Sequence, residues 1–160
     1  GYEPEMFYAV EPSIQMYIAE KSEALRELYV SSYSYAATAN YIHQMATDKL
    51  VELFGAMHPQ YTRQDFYELE LASSGMVRSF MARKCDRNFT MEQKLRRFLS
   101  CSMTIYGVAE EKRQQVIDRV LEMDLKSVAD QLVADAIHQA DEQYQEAERK
   151  GKAIEAARNG

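Results

Sequence analysis

Tryptophan is absent from this chain, and cysteine, histidine, proline and glycine are scarce: two, three, three and six residues in 160. Each shortage removes a class of explanation. Two cysteines, Cys85 and Cys101, make no disulfide framework and read as free thiols of a cytoplasmic protein. Three histidines without CxxC or HExxH spacing, and no Gly-rich phosphate loop, leave little recognisable cofactor chemistry. Few prolines and glycines permit long uninterrupted elements and argue against a loop-rich all-β design. No apolar run approaches the roughly 20 residues that a membrane span needs, and no signal peptide is visible. Clustered basic charge is missing too. The net charge is −6, and the densest cation groups, Arg78, Arg83, Lys84 and Arg87, then Lys94, Arg96 and Arg97, have acids nearby. Nucleic-acid affinity comes largely from counterion release at clustered cations, so this chain alone is a poor DNA binder.

What is present is a globular composition, 46% hydrophobic and 28% charged, at a length suited to one domain with a core. Apolar residues recur at helical spacing nearly everywhere. Helices are expected over about 5–20, 22–32, 34–55, 62–83, 90–106 and 110–122, and from 125 onward. Pro12 either kinks the first or marks its true start. Ser22 and Ser34 are candidate N-caps, and Gly55 with Pro59 ends the third helix. Thr62 followed by Asp65 opens a helix with an acid near the positive end of its dipole, and Thr90 with Gln93 has a capping-box pattern. Leu25, Leu28 and Tyr29 are expected to face inward. The last helix begins with an apolar stripe, Leu125, Val128, Ala129, Leu132, Ala136, Ile137 and Tyr144. Residues 141–160 are polar, a solvated helical or frayed tail after a domain of residues 1–140.

Eleven tyrosines, six phenylalanines and nine methionines form an unusual load. Many fall in the first half: Met6, Phe7, Tyr8, Met16, Tyr17, Tyr29, Tyr33, Tyr35, Tyr41 and Met45. Tyrosine offers a flat apolar face with a polar tip, and methionine adapts its shape. Together they suit a cavity for a small, partly apolar molecule, although each alone also fits an ordinary core. His43 reads as a hydrogen-bonded or exposed helix residue, with ligand contact as the alternative. Asp135 and His138 lie one helical turn apart. One such pair is a weak metal motif against a solvated helix surface. No nucleophile–base pair stands out, so no enzymatic role, cofactor or metal is expected.

Residues 65–86, DFYELELASSGMVRSFMARKCD, followed by 89–99, FTMEQKLRRFL, resemble the penultimate-helix region and following dimerisation helix of TetR-like transcription regulators. Residues 25–33, LRELYVSSY, and 41–50, YIHQMATDKL, are similar to the pocket-forming helices of one subgroup. The likeness spans roughly residues 5–135. It implies an all-α multi-helix bundle of the TetR C-terminal type, which binds a small-molecule effector and forms a homodimer through a four-helix interface. Two helices, about 62–84 and 90–106, would supply each half. Ser74 and Gly75 are small enough for close helix approach, with Leu71, Arg78, Leu95, Leu99 and Ser102 around them. Gly75 alternatively serves packing within one subunit. Helical phase gives a candidate ligand lining of Tyr17, Tyr29, Tyr33, Tyr41, Met45, Phe66 and Phe80. Such regulators reach DNA through an N-terminal helix-turn-helix. No segment of this chain supplies one, so DNA contact is expected only through a part outside it. The rival reading is a helical scaffold with a filled core and no small ligand.

Overall fold

The computed structural model describes residues 3–160. Among them are seven α-helices: α1 Pro4–Lys21, α2 Glu23–Ser31, α3 Ala36–Phe54, α4 Arg63–Ala82, α5 Met91–Ile105, α6 Glu110–Glu122 and α7 Leu125–Asn159. No strand occurs among the described residues. One isolated bridge, Asp86 with Phe89, pins the turn between α4 and α5.

Local chemistry explains most boundaries. Pro4 opens α1 at a position whose N–H would be unpaired anyway. Pro12 therefore sits inside the helix and is buried, rather than marking its start. Ser22 accepts the Leu25 amide and caps α2. Thr62 with Asp65, and Thr90 with Gln93, form complete capping boxes on α4 and α5. Ser34 does not cap α3. The Ser32 hydroxyl donates to the Tyr29 carbonyl at 2.6 Å, and the chain tightens into a 3-10 turn at Ser32–Ser34 before α3 begins. Asp124 caps α7 through the Ser127 amide.

Helix α1 touches every other helix and forms the axis of the bundle. Around its buried Met16 pack Phe54, Phe66, Met81, Leu95, Phe98, Leu99, Met103, Tyr106 and Ile117, all essentially inaccessible. One charged cluster enters this core at the end of α1. Glu20 at the end of α1 holds Arg26 of α2 at 3.1 Å and Lys94 of α5 at 3.0 Å. Arg26 also donates to the Met81 carbonyl at 2.7 Å, and Lys94 to the Arg83 carbonyl. Arg26, not Leu28, is thus the buried residue of α2, and Leu28 faces outward. Burial pushes the Glu20 carboxyl up, but hydrogen bonds from Arg26, Lys94 and the Cys85 amide outweigh it and hold its pKa at about 2.

Helix α7 packs on α1 at its beginning, where Leu125 and Ala129 are buried. The remaining stripe, Val128, Leu132, Ile137 and Tyr144, is exposed. Residues 141–160 are exposed throughout and helical to Asn159. No helix among the described residues is long and apolar enough to cross a membrane.

Candidate functional site

A cleft of about 540 Å³ opens between α1, α3 and α4, within the range of small-molecule sites. Helical phase builds its walls. Phe7, Tyr8, Glu11, Pro12 and Gln15 present one face of α1. Tyr41, Ile42, Met45, Ala46 and Lys49 do the same from α3, and Glu70, Ser73, Ser74 and Val77 from α4. Tyr33 closes one end from the turn after α2. Phe7, Tyr41 and Met45 form an exposed apolar lip.

The deep wall is polar. Glu70 is 2% exposed, and its Oε2 lies 2.7 Å from Nδ1 of His43. Burial pushes the Glu70 carboxyl above its ordinary range, while His43 and the Ser74 hydroxyl pull the other way. On the same helix Thr47 donates its hydroxyl to the His43 carbonyl at 2.6 Å. Tyr33 lies with its ring 6.0 Å from the imidazole. Its phenol is pushed up by burial, then by the Glu70 and Glu11 charges.

Beneath the cleft, Tyr106 shares a 2.7 Å hydrogen bond with Ser73 and stacks on Phe54 at 5.1 Å. Tyr8 meets both rings edge-on. Burial raises the Tyr8 phenol to about 12, with Ser102 and Ser73 serving its hydroxyl. These aromatic and hydroxyl contacts fix the wall against which a ligand would rest.

Ser74, His43 and Glu70 together invite comparison with a nucleophile–base–acid relay. The geometry does not make one. Ser74 Oγ lies 3.5 Å from the same Nδ1 that bonds Glu70, whereas a relay needs the serine and the acid on opposite ring nitrogens. The arrangement suits binding: a buried carboxylate, hydroxyls and aromatic faces around one opening.

Of the seven expected lining residues, Tyr33, Tyr41 and Met45 meet at this cleft. Tyr17 lies elsewhere, in a separate depression with Glu20, Lys21, Cys85 and Met91. Phe66 belongs to the core and packs edge-on against His58 and Tyr61. Phe80 packs on Phe89 and Phe98. Tyr29 packs against the core border.

The expected interface residues divide as well. Leu71, Gly75 and Arg78 are exposed along the outer face of α4. Leu95, Leu99 and Ser102 are fully buried inside the subunit, because α5 turns its apolar face to the core and Glu92, Arg96 and Arg97 to solvent. Ser74 is buried at the cleft. These four side chains are therefore not on a surface offered to a partner. Glu70 was absent from the sequence-based set. Its signal was its phase, four residues after Phe66 and seven before Val77 on the inward face of α4.

Asp135 and His138 lie on the exposed part of α7, where His138 meets Glu142 at 3.4 Å.

No family model matches this chain. No curated protein and no solved structure matches it either.

Proposed function

We propose that this chain is the effector-binding and dimerising domain of a TetR-like transcription regulator, a sensor of small, partly apolar molecules rather than an enzyme. One observation carries the reading. The two segments that resemble the pocket-forming helices, 25–33 and 41–50, supply Tyr33, Tyr41, Ile42, Met45, Ala46, Lys49 and Leu50 to one cleft. A scaffold acting only through protein contacts would have no need of a cleft this size with an aromatic lip and a buried carboxylate.

In this reading a ligand enters past Phe7, Tyr41 and Met45 and fills the space between α1, α3 and α4. It favours the helix arrangement that it binds better, and only that difference in affinity shifts the population. The dimer seam is placed on the outer face of α4 around Leu71, Gly75 and Arg78. In the whole regulator the shift would change the spacing of two DNA-reading heads.

Native mass spectrometry of the purified chain tests both parts. The expected spectrum shows a dimer that retains, or takes up on addition, about one small apolar molecule per subunit. Tyr41→Ala should weaken that uptake by about 1–2 kcal/mol, roughly tenfold, while the dimer persists. A bare monomer that takes up nothing contradicts the proposal.

A further inference from the structure

We propose that the cleft selects molecules carrying a protonated amine on an apolar, aromatic-sized body, with the ammonium seated against Glu70. This rests on the cleft being a ligand site and adds the chemistry of its occupant.

The argument begins with how this protein treats its two semi-buried or buried core carboxylates. Glu20 has two permanent cations, Arg26 and Lys94. Glu70 is more deeply buried, yet among the described residues no lysine or arginine pairs with it. Its partners are one imidazole and one hydroxyl. An ionised carboxylate held away from water without a full counter-charge is costly. A protein that needed Glu70 only for packing would be better served by glutamine or methionine there.

The cleft itself leaves that charge unanswered. Glu11 and Lys49 line it nearer to solvent, one of each sign, and neither forms an ion pair among the described residues. Their charges offset one another, so Glu70 sets the sign of the interior. The surrounding rings reinforce this. Tyr8, Tyr33 and Tyr41 line the same space, and aromatic rings attract cations most when water is excluded. A carboxylate ligand would meet like charge at the deep wall. A neutral ligand would leave Glu70 as it stands. An ammonium supplies the missing counter-charge and donates hydrogen bonds to the carboxylate.

Three probes with one body and different heads test this: phenylbutylamine, phenylbutanol and phenylbutyric acid. Each is titrated calorimetrically into the full chain at mildly alkaline pH, where ordinary imidazoles are neutral and ordinary amines charged. The amine should bind about tenfold more tightly than the alcohol, and the acid most weakly. Glu70→Gln should abolish the amine's advantage over the alcohol. The comparison of heads on the unaltered chain stands even if that variant folds poorly. If the alcohol binds and Tyr41→Ala weakens it, but the amine has no advantage, the cleft reading survives and the cation inference is overturned. An amine preference that survives Glu70→Gln also overturns it. If none of the three binds at millimolar concentration, both fail.

Discussion

The His43 imidazole and the Glu70 carboxylate meet at 2.7 Å and join α3 to α4 beside the cleft. The contact only partly answers the cost of burying Glu70, whose pKa stays above its ordinary value of 4.5. A carboxyl with a raised folded pKa contributes stability below its unfolded pKa and loses it as pH rises through the folded value. Glu70→Gln removes that loss. In urea denaturation the variant is expected to unfold at a higher midpoint than the parent at neutral pH, with the difference closing near pH 4. A lower midpoint at neutral pH would show that the charged contact outweighs the burial cost.

Glu20 behaves in the opposite sense. Its folded pKa of about 2 lies below the ordinary 4.5, so its stabilisation is fully present above about pH 4.5 and is lost as pH falls toward 2. Glu20→Gln leaves Arg26 and Lys94 without their shared counter-charge. It should cost about 3–5 kcal/mol at neutral pH and flatten the acid limb of the stability profile. A loss below about 1 kcal/mol, in the range of a surface pair, would mean that the carbonyl partners of the two cations suffice.

Gly107 is the one residue among those described with a positive φ, +74°. A Cβ there would lie 2.9 Å from Cε1 of His58. That ring cannot move freely, because Nε2 bonds the Tyr106 carbonyl at 2.6 Å and the ring stacks on Tyr61. Gly107→Ala should cost about 1–2 kcal/mol from the backbone alone and more from displacing His58. Differential scanning calorimetry should show a Tm drop of at least about 3 °C.

Gly75 is the contrasting case, since nothing lies within 4 Å of a Cβ built there. The subunit has room for a side chain, and helix propensity favours one. Gly75→Leu therefore isolates the surface of α4. Analytical ultracentrifugation should show the parent as a dimer and the variant as a folded monomer. A variant that remains dimeric removes α4 from the seam.

The exposed end of α7 carries little of the fold. Deleting residues 141–160 should leave the unfolding free energy within about 0.5 kcal/mol of the parent, as for surface changes that touch no buried group. A larger loss would reveal contacts made by this segment.

Features set by neighbouring residues were legible in the sequence. Ser22, Thr62 and Thr90 act as N-caps because a short hydroxyl side chain followed by a helical run reaches its own helix amides. Buried charge was not legible. Arg26, Glu70 and Lys94 are polar letters in an amphipathic pattern, and only partners distant in sequence make their burial tolerable. The same limit divided the tyrosines. Tyr17 and Tyr33 both lie near the core border, but the crossing of α1, α3 and α4 puts only Tyr33 on the cleft. Leu95 and Leu99 repeat the lesson, since an apolar face does not declare whether its partner is the same subunit or another.

The most direct test of ligand binding in the cleft is a methyl NMR titration of the methionine-labelled chain with phenylbutylamine. Met45 lines the cleft, and Met91 lines the separate depression near Tyr17. The account predicts a saturable shift of the Met45 methyl with Met91 unmoved. A shift confined to Met91, or none at either, would contradict it.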